Sequence, residues 1–166
     1  MKKEEIKIEI FNKLSEELKD KWLNFEKKSN FHFFQKYEFV ENFLYEQNRN
    51  CIFVILTFKD TTVAILPFEL KEKFGLKVLQ WLGTKEFDYC GPLVSNFQEE
   101  GIDQSLFRDA WNRICSKHLK IDLVFFDKQL EKINNFKNPF VDNFNNFLAS
   151  KIYSIKLPKD YRLFLE

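Results

Sequence analysis

Three β-rich runs standing back to back constrain this chain more than any other feature: Cys51 to Phe58, Thr62 to Leu70 and Leu76 to Leu82. Val, Ile, Phe and Thr suit a pleated, half-buried surface. The separators, Lys59-Asp60-Thr61 and Lys71 to Gly75, are the length of turns. The runs predict an antiparallel meander of three strands.

The flanks change period. Ile6, Ile8 and Ile10 alternate with Lys7 and Glu9, which puts one face of a short strand on a core. Leu14, Leu18, Trp22 and Phe25 recur at helical spacing, with Ser15-Glu16-Glu17 at the positive end of the dipole and Lys27-Lys28 at the negative end. After a break at Ser29-Asn30 and the aromatic run Phe31 to Phe34, which reads as core, a second helix over Lys36 to Gln47 lines up Val40, Phe43, Leu44 and Gln47. Beyond the meander, Gly83 to Glu100 reads as a loop with turns at Gly83 and Gly91-Pro92. A third helix from near Ile102 buries Leu106, Ala110, Trp111, Ile114 and Cys115, and Ile121 to Phe126 has parallel-strand character. A strand–helix–strand crossover follows from that pair. In the Asn-rich stretch 128 to 150, Pro139 forbids one continuous helix, so a short helix and a loop are expected. Tyr153, Ile155 and Leu157 alternate as a last strand, and Pro158 opens a helix over Lys159 to Glu166. The divisions are a domain over 1–157 and, over 158–166, the start of a truncated or docking helix.

Composition narrows the class. With 166 residues, 45% hydrophobic and 31% charged, the chain is a single globular domain. Its 21 Phe accompany many Lys, Asn and Ile, as codons rich in A and T would dictate, which explains them better than an aromatic binding surface does. The 26 basic and 25 acidic residues are interleaved to a net +1, which argues against nucleic acid as a partner. The longest apolar run, Cys51 to Phe58, falls far short of the roughly 18 residues of a membrane helix. Met1 to Glu5 has no signal-peptide core behind it, so the cytoplasm is the expected compartment. Cys51, Cys90 and Cys115 form no paired spacing and read as reduced, buried filler. No cluster of His and Cys has metal-ligand spacing. Phe68 to Phe74, though charged, reads as a solvated hairpin tip.

Three local motifs carry a resemblance. Phe33-Phe34-Gln35-Lys36-Tyr37 resembles an F-Q-x-x-W start of a second helix, with Tyr37 in place of Trp. Ala64-Ile65-Leu66-Pro67-Phe68 resembles an A-x-L-P strand. Trp81-Leu82-Gly83, Asp88-Tyr89 and Gly91-Pro92-Leu93 are similar to an L-G-x-x-x-x-D-Y-x-x-P-L segment. Together they resemble the CelD-like acetyltransferases of cellulose and exopolysaccharide synthesis, a branch of the GNAT acyltransferases related to the FemAB-like transferases, from about Leu14 to Leu157. The resemblance implies an α/β (α+β) fold: a GNAT-like mixed sheet in the order β-α-α-β-β-β-α-β-α-β, with helices on both faces. Members of the branch are typically two such domains in tandem, and this chain ends where the second would begin.

The resemblance also sets the chemistry to look for. A GNAT enzyme holds the pyrophosphate of acetyl-CoA on backbone N–H groups at the start of the helix after the fourth strand, through Q/R-x-x-G-x-G/A. Gln80-Trp81-Leu82-Gly83-Thr84-Lys85 meets the first two fixed positions, but Lys85 stands where Gly or Ala is needed, and the next helix starts late. No cofactor or metal site is therefore expected in this chain. Acetyl-CoA or another acyl-CoA would serve the full enzyme, through a second GNAT domain in cis or a homodimer partner. The expected role is the N-terminal, acceptor-side domain of an acyltransferase in polysaccharide or cell-envelope precursor synthesis, its acceptor a small polar molecule. The alternative is a non-catalytic GNAT-like interaction module. Asp88 and Tyr89 are an adjacent acid and phenol in a Gly/Pro-bounded loop, as a substrate contact requires. Equally, Asp88 could close an Asx-turn and Tyr89 pack beneath the loop. Gln35, Lys36 and Tyr37, at the start of the second helix, complete the candidate substrate-binding set. His32 and His118 read as structural.

Overall fold

Alternation places the first strand as expected. In the computed structural model, which describes residues 5–45, 47–134 and 136–144, β1 (Lys7–Phe11) turns Ile8 and Ile10 toward a core that already holds Ile6. Helix α1 (Glu16–Glu26) begins where Ser15 Oγ accepts the Leu18 N–H at 3.2 Å, satisfying one of the orphan donors of the first turn. Its stripe of Leu18, Trp22 and Phe25 is buried. A single 3-10 turn over Phe33–Gln35 leads into α2 (Tyr37–Leu44). This helix stops short of Gln47, because the Gln47, Arg49 and Cys51 N–H groups bond to Leu44, Gln47 and Arg49 carbonyls in successive tight turns.

The meander forms as β2 (Cys51–Phe58), β3 (Thr61–Lys73) and β4 (Leu76–Trp81), all antiparallel. Both connections are two-residue turns with positive φ, 47° and 59° at Lys59-Asp60 and 54° and 76° at Phe74-Gly75. That geometry matches the right-handed twist of the flanking strands. So tight a second turn extends β3 beyond the expected Leu70. The run from Phe68 is strand rather than solvated tip, with Phe68 fully buried and Glu69 5% exposed.

The segment expected as a loop is more ordered than its composition suggests. β5 (Leu93–Val94) pairs with β3 at Ala64 and Ile65, beyond the reach of β4, and α3 (Phe97–Glu100) follows it. Helix α4 (Gln104–Arg113), continued by a π-helical turn over Ile114–Leu119, buries Phe107, Ala110, Trp111 and Ile114. β6 (Leu123–Phe125) then pairs parallel with β4, completing the crossover. The sheet order is β1-β2-β3-β4-β6, with β5 beside β3. A short hairpin, β7 (Lys132–Ile133) and β8 (Phe136–Lys137), precedes α5 (Pro139–Asn143). Pro139 thus opens that helix instead of breaking one, with Asn138 Oδ1 accepting the Phe140 N–H at 3.0 Å.

Helices cover both faces. Alternate residues of β2 and β3, namely Cys51, Phe53, Ile55 and Ile65, meet α1 and α2. Val54, Leu56, Leu66 and Phe68, with Leu79 and Trp81 of β4, meet α4 and α5. Each fully buried large apolar side chain here contributes about 1.5–3 kcal/mol of burial free energy. The fold class is thus the mixed α/β architecture expected, but the element order departs from the expected one where β5 and α3 stand between β4 and α4, in the segment expected as a loop. The strand at Tyr153 to Leu157, the helix after Pro158 and the boundary at 157 lie outside the described residues.

Candidate functional site

The segment from Gly83 to Cys90, leaving the carboxyl end of β4, brings the candidate residues together. Gly83 has φ +74°, and the Phe87 ring lies where a Cβ would stand. Gly83 O accepts the Glu86 and Phe87 N–H groups at 2.9 and 2.8 Å, and Thr84 Oγ1 donates to Trp81 O at 2.8 Å. The turn is therefore closed on itself. Phe87 anchors the segment against α2, with its ring 5.2 Å from those of Phe34 and Phe39 and 4.6 Å from that of Phe43. From the other side, Lys128 Nζ donates to Phe87 O at 2.8 Å and Cys90 N–H to Lys128 O at 3.0 Å.

The five sequence candidates divide within this frame. Gln35 is buried: Oε1 accepts the His32 N–H at 3.1 Å, and Nε2 donates to Tyr89 O at 3.3 Å. One amide thus ties the start of α2 to the Asp88-Tyr89 loop. Tyr89 is half-buried, its ring 5.8 Å from that of His32 and 6.4 Å from that of Phe34, and Asp88 beside it is exposed. Burial holds the His32 imidazole below its ordinary value. Lys36 is exposed at the N-terminal boundary of α2, and its charge acts on Glu26, whose carboxyl is raised overall because burial outweighs that help. Tyr37 points into the core, edge-on to Trp22 at 5.9 Å, with its hydroxyl donating to Glu41 at 3.0 Å. Burial, reinforced by Glu41, raises that phenol. The structure therefore gathers Gln35, Asp88 and Tyr89, leaves Lys36 in solvent and turns Tyr37 inward.

A second group, missed in the sequence, adjoins the same segment. Glu69 of β3 stands opposite Gln80 of β4, and Gln80 Nε2 donates to Glu69 Oε2 at 2.9 Å. Arg49 reaches both Glu69 oxygens at 3.4 Å and Glu86 at 2.6 Å, lies 4.8 Å from the Phe43 ring centroid, and donates Nε to Gln47. Lys71 Nζ is 3.3 Å from Glu69. For Glu86, burial acts upward, but the hydrogen bond and charge of Arg49 outweigh it and hold the carboxyl below its usual value. Each carboxylate faces a guanidinium or an ammonium, so the group anchors charge instead of supplying a free base. The missed signal was strand parity: Glu69 shares a face with Ile65, so its side chain had to enter the sheet's covered side.

Other features bear on what the region can hold. Asp103 Oδ1 caps α4, accepting from Leu106 N–H and Ser105 Oγ at 2.8 Å each. Where β4 and β6 end, Trp81 and Phe126 stack at 4.5 Å, with the Phe140 ring 5.0 Å from Trp81. Cys51, Cys90 and Cys115 are free thiols, pushed by burial up to about 11, 12 and 11. A shallow hollow lined by Ile6, Lys7, Arg113 and His118 lies at the opposite, β1 edge. Among the described residues, no group of three or more His, Cys, Asp and Glu could hold a metal ion, and no helix is long and apolar enough to cross a membrane.

No family model matches the chain, and no curated protein matches it. Two solved structures are similar to it in shape: complexes of an aminoglycoside acetyltransferase from an uncultured soil metagenomic sample, one with trehalose and one with sisomicin. Each is 16% identical, covers 91% of this chain and 97% of its own, and has a TM-score of 0.48.

Proposed function

We propose that this chain is the N-terminal, acceptor-side domain of a GNAT-type acetyl- or acyltransferase acting in polysaccharide or cell-envelope precursor synthesis. The observation that carries the reading is the contact of Gln35 Nε2 with Tyr89 O at 3.3 Å. It joins the first and third motifs of the resemblance, at the carboxyl end of a strand that has a parallel neighbour, where open α/β sheets place their ligands. Asp88 and Tyr89 would contact the acceptor there, with Gln35 as the positioning residue behind them.

Acyl-CoA does not fit the residues present. A pyrophosphate needs free N–H groups at a glycine turn, and the Gly83 turn spends those of Glu86 and Phe87 on its own carbonyl and packs Phe87 where the backbone would have to be approached. The α4 N-terminus is capped by a carboxylate, which repels a second anion. Stacked Trp81 and Phe126 fill the crevice between β4 and β6. In this reading a second GNAT domain, in cis or in a partner copy, carries the acyl-CoA. Calorimetric titration with acetyl-CoA, checked by thermal shift at saturating ligand, is expected to give neither heat nor stabilisation. Micromolar binding would overturn the assignment.

One observation favours a second reading, a non-catalytic interaction module. Leu123, Val124 and Phe125 of β6 are all exposed, and no other strand among the described residues pairs with the outer edge of β6. Sedimentation at rising concentration separates the two: self-association supports the module, and a monodisperse monomer removes it.

A further inference from the structure

Toward β6, the sheet face that carries Ile65 changes composition and passes from buried to exposed. Glu69, Gln80 and Phe125 lie side by side across β3, β4 and β6, and Lys71, Val78 and Leu123 form the adjacent row. Residues paired in register project to the same face, so these six make one surface, polar at its β3 side and apolar at its β6 side. The polar side is built, not incidental. Glu69 and Gln80 are only 5% and 9% exposed and are hydrogen-bonded to each other, and Arg49, itself paired with Glu86, holds Glu69. The apolar side is open, with Leu123 49% and Phe125 53% exposed.

Charge selects the ligand. Arg49 and Lys71 contribute two positive charges and Glu69 and Glu86 two negative, so the group sums to zero and attracts neither phosphates nor polycations. What remains is a close set of donors and acceptors beside an exposed aromatic face. Arg49 and Lys71 carry more N–H groups than their present contacts use. Hydroxyl groups both donate and accept, and a pyranose also presents an apolar C–H face to a ring. We propose that this surface binds a neutral saccharide, with the sugar laid on Phe125 and its hydroxyls directed to Gln80, Lys71 and Arg49. The proposal rests on the acceptor-side reading for its biological role, and it names the acceptor class and a subsite outside Gln35, Asp88 and Tyr89.

The test is a titration of the isotopically labelled full chain with maltose, followed by two-dimensional amide NMR, with no acyl donor present. Maltose is expected to shift the Gln80 side-chain amide and the Leu123 to Phe125 backbone amides at about 1–10 mM, a normal range for a shallow sugar site. Phe125→Ala, an exposed position where truncation spares the fold, is expected to weaken binding at least about tenfold. Phe74→Ala, which removes an exposed ring at the hairpin tip, is expected to leave it unchanged. The proposal is overturned by the absence of shifts, by shifts that survive Phe125→Ala, or by tighter binding of glucosamine or glucose 6-phosphate than of maltose. Maltose binding by a chain that also bound acetyl-CoA would sink the acceptor-side reading and leave this site standing.

Discussion

At the scale of single residues, Gly83 shows how one backbone position can serve packing in place of ligand binding. Its φ of +74° is a conformation L side chains rarely adopt, and the space a Cβ needs is filled by Phe87. Gly83→Ala meets both penalties, and the ring cannot retreat without breaking its contacts with Phe34, Phe39 and Phe43. The expected loss is about 1–3 kcal/mol in a urea unfolding series; an unchanged midpoint would show that Phe87 does not hold the segment. Gly83 was legible in the sequence as a turn. Its service to Phe87 was not, because Phe34, Phe39 and Phe43 come from elsewhere in the chain. Glu69 is a similar case. The alternation of β3 contained the information that it faces inward, but Arg49, which makes that placement tolerable, lies in an irregular turn with no period to read.

Among the elements, α5 is the one that tertiary contact most clearly creates. Five residues are too few for an isolated helix, since nucleation alone makes much longer peptides marginal. Phe140 supplies the missing free energy: its ring meets those of Trp81, Phe107, Trp111 and Phe126 at 5.0 to 5.4 Å and is buried. Phe140→Ala should therefore cost about 3–5 kcal/mol, as full removal of a buried ring does. Near-ultraviolet circular dichroism and thermal unfolding would register it, and a loss near zero would mean that α5 docks by other means. Helix α4 and strand β6, by contrast, were visible in advance, since apolar spacing named Ala110, Trp111 and Ile114 and the run ending at Phe126. β5 was not visible, because two residues have no period.

Across the whole molecule, stability is graded from the meander outward. β2 and β3 are buried on both faces along most of their length, whereas β7 and β8 form an isolated two-residue hairpin. Native-state hydrogen exchange should find the slowest amides at Val54, Leu56, Ile65 and Leu66 and fast exchange at Lys132 and Phe136; protection of the hairpin equal to that of β2 would refute the gradient. The sequence by itself determined the meander, both helices before it, the third helix and the parallel strand, because each is a local period of apolar residues. Only the tertiary structure decided that Gln35 meets Tyr89, that Glu69 is caged by Arg49, Gln80 and Lys71, and that Trp81 and Phe126 close the end of the parallel pair. Those arrangements depend on which residues from distant segments arrive at the same end of the sheet, and no local period encodes that.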